Sequence, residues 1–321
     1  VGRLLVVMAL AIGVAAPVGA AGPGHIPGAA AFRACGAAGP YWPTGTLAVS
    51  GTTGWMACKE QARVVRIDLA RRRIAKAVPI GAPPLAVALG YGSLWALDTS
   101  GDLSRISTAA GRIVRTIHTG ASNPYNLWVG AGSVWAVSDG SGGVLRISPT
   151  SNRVVARIRV GDGPADMVFA GTSAWVVNHR DRGLVRIDTR TNAPKRLVTL
   201  PAEVPERIAR LGGDLWITGR GTDLLQVDPA TGATKATHEI GAGGIDVVVA
   251  GGALWVPSRS AAVDQSGFPT LETLRKVTSA GEVTTVARST GRVDVHGLVG
   301  TPAAVWLADN TGGLLYRVPT G

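Results

Sequence analysis

Gly132-Ser133-Val134-Trp135-Ala136-Val137 is one copy of a phrase that the 321-residue chain writes seven times. The Trp, closely preceded by Gly, recurs as Trp55, Trp95, Trp135, Trp175, Trp216, Trp255 and Trp306, at spacings of 40, 40, 40, 41, 39 and 51 residues. Self-similarity at about 40 residues marks a repeat architecture. Aligned on the Trp, each unit shows four strand-like segments. The first runs from nine to five residues before the Trp, as in 126–130, 166–170 and 246–250. The second carries the Trp, and the third holds phrases such as Val65-Arg66-Ile67-Asp68 or Val185-Arg186-Ile187-Asp188. The fourth follows a polar turn, as in Asn152-Arg153-Val154-Val155-Ala156. β-Branched residues, alternation with period two and Gly, Asn or Asp punctuation make all four strands. Four strands in each of seven units predict an all-β, seven-bladed propeller of antiparallel blades.

The phase of the repeat predicts how the ring closes. The last unit stops after its third strand, 314–318, so its fourth must come from the N-terminus, with residues 29–40 as the available material and the repeats running from 41. Cys35 would end that borrowed strand, and Cys58 ends the second strand of the first unit. A disulfide between them would lock the closure, adding about 3 kcal/mol; two unpaired thiols are the alternative.

Residues 1–20 read as a signal peptide: Arg3, an apolar run over 4–16, then Val18-Gly19-Ala20 as a cleavage site. The run is short for a membrane span. The expectation is a secreted or periplasmic bacterial protein whose residues 21–321 form a single propeller domain, a monomer with no stable membrane span. The formal charge of +11 opens nucleic-acid or polyanion binding as a reading. Yet Arg66, Arg105, Arg146, Arg186, Lys276 and Arg317 share one register of the third strand, with Gln226 in the remaining unit, which reads as decoration of the repeat.

Gly171 to Asn178, ending Trp175-Val176-Val177-Asn178, resembles the YVTN-type repeat of bacterial extracellular propellers, and the wider unit, over 41–321, resembles virginiamycin B (streptogramin) lyase. The resemblance implies the propeller fold. For the lyase it also implies a divalent cation, inner-strand His residues in a Pro-His-Gly-Ile-like phrase, a Glu after the Trp strand, and breakage of an ester by elimination. Val295-His296-Gly297-Leu298 matches the His phrase once. No second inner-strand His and no Glu three residues after a Trp is present, so the catalytic set is incomplete, with His296 as the candidate base and Asp166 and Asp246 as candidate holders of the cation.

Within the first strand, residues nine, seven and five before the Trp share a face. In most units they are small, and the expectation is that this face lines the central channel while the larger alternate residues pack between blades. At the ninth position the units disagree: Thr46, Ala86, Asn126, Asp166, Arg207, Asp246 and, allowing one extra residue, His296. Such a ring at the channel mouth either binds a polar ligand or ion, or is a self-neutralising plug with Arg207 between Asp166 and Asp246. The same rim gathers Asn178, His179, Arg220, Arg259 and Asp309 from the loops after the Trp strands. The long last interval places an insertion over 258–273, a lid, a partner-binding loop or mere drift. Trp128, on the supposed channel face, either plugs the channel or stacks on a ligand. The reading is a secreted binding or interaction module acting through the mouth and rim of one face, on a small molecule, cell-envelope component or protein. The alternatives are a metal-assisted lyase or hydrolase and a polyanion binder.

Overall fold

A computed structural model describes residues 25–36, 46–201, 204–220, 222–244, 246–263, 269–290, 293, 295–309 and 313–321. The expected signal peptide and the lead-in after residue 36 lie outside them, as do the side chains of Arg259 and His296. Among the described residues, the strands form seven four-stranded antiparallel sheets arranged as the blades of a propeller. Blades 1 to 6 cover 47–79, 84–118, 124–159, 164–199, 204–238 and 248–288. Blade 7 combines 295–319 with Ala30–Arg33, which pairs in register Ala30↔Arg317 to Arg33↔Leu314. The ring is therefore closed by the N-terminal strand.

Alternation along the second strand dictates how blades meet. Trp135 and Val137 join a buried cluster with Met167 and Val176 of blade 4, while Val134 and Ala136, one residue over, join Trp95 and Leu97 of blade 2. The pattern repeats at all seven junctions, each holding one repeat Trp. Sheets that stand radially turn both faces to their neighbours, which corrects the expectation of a small face lining the channel. Met167 and Phe169 pack toward blade 3, and Val168 and Ala170 toward blade 5. The axis meets the edge of the innermost strand instead. Trp128 follows the same rule. It packs between blades 3 and 4 and donates its indole N–H to Asp166, 2.9 Å away.

The repeated cation is structural in most blades. Arg105, Arg146 and Lys276 lie over Trp95, Trp135 and Trp255 at 4.9, 5.1 and 5.6 Å from the ring centroids. Such cation–π contacts contribute about 1 kcal/mol each at partly exposed sites. Asp68, Asp188 and Asp228 accept backbone N–H groups of the turns after their third strands, at 2.8 to 3.2 Å. The insertion lengthens a hairpin, with Ala253–Val263 pairing against Pro269–Val277; residues 264–268 lie outside the description.

Cys35 and Cys58 are bonded, closing 23 residues and joining the borrowed strand of blade 7 to blade 1. Chain entropy assigns a loop of that size about 3 kcal/mol. Reduction should therefore lower the melting temperature and raise amide hydrogen exchange first at 30–33 and 314–317, leaving blades 3 and 4 protected. Uniform loosening of all blades would contradict the assignment of the bridge to ring closure.

Candidate functional site

Each innermost strand is paired on one side only, so its N–H and C=O groups facing the axis need other partners. Near its start the pairing slips by one residue. In blade 4, Pro164 faces Asn178 and Asp166 faces Val177, leaving Ala165 as a bulge. Blade 5 skips Glu206 and blade 2 skips Leu85 in the same way. The slip in blade 3 falls between Pro124 and Leu127, and in blade 7 between Val295 and Gly297. A β-bulge bends its strand and re-aims the extra side chain. The bulge register corrects the placement of His296. Gly297 faces Ala308 as Asp166 faces Val177, so Gly297 occupies the ninth position and His296 the bulge, ten residues before Trp306.

Directly after the bulge, the ninth-position side chains cap the bare edge. Asn126, Asp166 and Asp246 each accept the next residue's N–H, from Leu127, Met167 and Val247, at 2.8 Å. Arg207 has no acceptor to offer, and in blade 5 the corresponding N–H, of Ile208, donates instead to Asp166 of blade 4 at 3.0 Å. Asp166 thus collects three N–H donors: Met167, Ile208 and Trp128. Arg207 donates Nη1 to the Glu206 carbonyl at 2.8 Å, and its Nε lies 3.8 Å from Asp246. Asn126, Asp166 and Arg207 are buried, at 5%, 7% and 4% exposure. The sequence ring is a cross-braced layer inside the molecule. It does not fit the expected cation: N–H donors occupy three of the Asp166 lone pairs, and a buried guanidinium stands beside Asp246. Among the described residues no cluster of three His, Cys, Asp or Glu side chains could hold a metal.

Burial pushes the Asp166 carboxyl up to about 7; Arg207 opposes the shift, Asp246 adds to it, and the Ile208 and Met167 N–H groups oppose it. Burial also works against the Arg207 charge, but Tyr125, Asp246, Glu206 and Asp166 around it hold its proton more firmly than in water.

Above this layer the bulge residues Leu85, Tyr125, Ala165 and Glu206 line a cavity of about 640 Å³, which the rim residues His179 and Arg220 complete. Arg220 donates Nε to Glu206 at 2.7 Å. Arg180, also on the cavity wall, bridges Asp162 at 2.7 Å and Asp139 of blade 3. It also lies 3.3 Å from His179 Nε2. A guanidinium only donates, so Nε2 is the acceptor and Nδ1 carries the proton. Burial and then the Arg180 charge hold His179 below the ordinary imidazole value, with Asp139 and Glu206 opposing. The imidazole is therefore neutral at neutral pH and can accept a proton or a hydrogen bond.

Of the rim residues expected from sequence, His179 and Arg220 meet at this cavity. Asn178 is buried elsewhere, its amide donating to the Val160 carbonyl at 2.8 Å, and Asp309 is buried opposite Val295. Glu206 and Tyr125 escaped the sequence reading because they stand one residue before the inspected ring. The Pro at 84, 124, 164 and 205, preceding or next to the slip, is the signal that marks them.

No family model matches the chain, and no curated protein does. Among solved structures, virginiamycin B lyase from Staphylococcus aureus is similar over 91% of this chain and 99% of its own, at 16% identity and a TM-score of 0.74. A catalytically inactive form of that lyase with quinupristin is similar over 87% and 95%, at 14% identity and 0.70. A chain of the mitotic checkpoint complex matches equally well, over 98% and 99%, at 14% identity and 0.74. Similarity at these identities establishes the seven-bladed propeller fold and leaves activity open.

Removing the Asp166 carboxyl strands three N–H donors, each worth about 1 kcal/mol. Asp166→Ala should therefore cost about 3 kcal/mol in chemical denaturation, and a loss below about 1 kcal/mol would contradict the bracing role. Because the folded-state value is raised, the proton-linked stability of Asp166 is full below pH 4 and declines as pH rises to about 7. The slope of stability against pH across that window should flatten in Asp166→Asn; an unchanged slope would assign it to other groups.

Proposed function

We propose that the protein is an exported binding module whose ligand site is the cavity over blades 2 to 5. The carrying observation is the convergence of His179, Arg220, Glu206 and Tyr125 on a concave volume of about 640 Å³, within the usual range for small-molecule sites. A cation, a carboxylate and a neutral imidazole side by side suit a polar ligand that both donates and accepts hydrogen bonds, such as a zwitterion or a peptide-like ring. Export is supported by the disulfide, which belongs to oxidising compartments. Among the described residues no helix is long and apolar enough to cross a membrane.

A thermal-shift panel of cyclic peptides, cell-wall fragments and glycans tests this reading on wild type, Arg220→Ala and His179→Ala. A ligand of this site should raise the wild-type melting temperature by several degrees and lose at least tenfold in affinity in Arg220→Ala. Equal shifts in all three proteins would move the site elsewhere.

A second reading, elimination in a cyclic ester, is favoured by the likeness to virginiamycin B lyase and by the register of His296, which occupies in blade 7 the bulge position that lines the cavity in blades 2 to 5. It expects quinupristin to be converted, with divalent-metal dependence, to a product resolved by chromatography, and conversion to vanish in His296→Ala. Absence of conversion with magnesium, manganese or zinc removes this reading and leaves the binding module standing.

A further inference from the structure

In two blades the cation of the third strand is tied into the next blade. Arg105 donates Nη1 to the Pro149 carbonyl at 2.7 Å and to the Asn152 amide oxygen at 2.9 Å. Arg146 does the same with the Thr189 carbonyl and with Asn192, at 2.8 Å to the latter. Both Asn residues occupy a left-handed turn position, with φ of 53° and 61°, a conformation that Asn tolerates and Gly adopts freely. Blade 2 has Gly111 there, with φ of 58°. The backbone requirement is met, but the amide that would receive Arg66 of blade 1 is missing.

Arg66 retains its position 5.9 Å from the Trp55 ring. Among the described residues neither its guanidinium nor the Trp55 indole N–H has a hydrogen-bond partner. The indoles of Trp95, Trp135, Trp216 and Trp255, in contrast, donate to a carbonyl five residues earlier at 3.0 to 3.1 Å. A cavity of about 570 Å³ opens at this point between blades 1 and 2. It lies at the ends of the inner strands opposite the bulges, on the other face of the disc from the first cavity. Arg66 and Trp55 form one wall, hydroxyls of Ser50, Thr53 and Thr108 contribute polar groups, and Leu89 supplies an apolar patch. No carboxylate is among the described residues lining it. Lys76, facing Arg66 across the strand pair, adds a second positive charge with its ammonium 2.8 Å from the Ala110 carbonyl.

We propose that this cavity is a second binding site, for a hydroxylated, sugar-sized ligand carrying an oxyanion, carboxylate or phosphate ester. The guanidinium fork pairs with either oxyanion through two parallel hydrogen bonds. The hydroxyls meet the ligand's own hydroxyl groups, and the volume exceeds what a lone inorganic ion fills.

Calorimetric titration of the whole protein with glucuronate, glucose 6-phosphate, inorganic phosphate and glucose tests the site. Saturable binding of glucuronate or glucose 6-phosphate, with none of glucose, is expected, and the responding acid identifies the oxyanion. Arg66→Gln should weaken that binding at least tenfold. Gly111→Asn should weaken it comparably by returning to Arg66 the acceptor its counterparts Arg105 and Arg146 have; the atoms nearest the new Cβ belong to the Lys76 side chain, from 2.7 Å, which can swing aside. Melting curves verify that each variant is folded, and Arg66→Gln decides alone if the turn variant is not. Binding of neither sugar acid, binding of glucose equal to that of the acids, binding of inorganic phosphate only, or unchanged affinity in Arg66→Gln each overturns the assignment.

Discussion

The wedge of one tryptophan between each pair of blades is the contact on which the ring depends. Burying an indole removes 150–250 Å² from water, worth about 5 kcal/mol by area. The neighbouring residues of the same strand are committed to the opposite junction, as Val134 and Ala136 are beside Trp135. Every second strand is thus shared by two interfaces, and the stability of one blade is inseparable from that of its neighbours. Closure carries that coupling around the circle, because the strand Ala30–Arg33 and the Cys35–Cys58 bridge join the last blade to the first.

Radial sheets leave one problem unsolved: the innermost edge has no strand beyond it. The side chains of Asn126, Asp166 and Asp246 serve as caps, and where Arg207 cannot cap, Asp166 reaches across from the preceding blade. This sets a limit on function near the axis. Three N–H donors occupy most of the Asp166 lone pairs, and the buried guanidinium of Arg207 repels a cation from the same layer. The side chains that line the cavity above this layer are those at the bulge one step earlier, Tyr125 and Glu206, together with His179 and Arg220 from the rim. Structural and ligand-facing roles alternate along two adjacent residues of one strand.

The same economy of repeats explains the opposite face. A cation over a tryptophan is useful at every junction, but its outer nitrogens need an acceptor from the next blade. Asn152 and Asn192 provide one and Gly111 does not. A single residue that is neutral for the turn changes the chemistry of the neighbouring blade.

The sequence by itself determined blade number and strand phase, because the Trp period and the four strand-like segments of each unit leave one count; the N-terminal closing strand and the Cys35–Cys58 bridge were expectations that the structure bears out. The sequence also brought His179, Arg220, Asp166 and Arg207 forward as residues of interest. It could not assign their roles, since strand alternation says which residues share a face but not what that face meets. Only the tertiary structure decided that both faces of the inner strand are buried between blades and that the pairing slips at the bulge. One residue of slip moved His296 out of the Asp166 register and brought Glu206 and Tyr125 to the cavity. The repeated Trp spacing was legible as a ruler from the first line. Its physical meaning, an indole buried against the next blade, depends on contacts about forty residues away that no local pattern encodes.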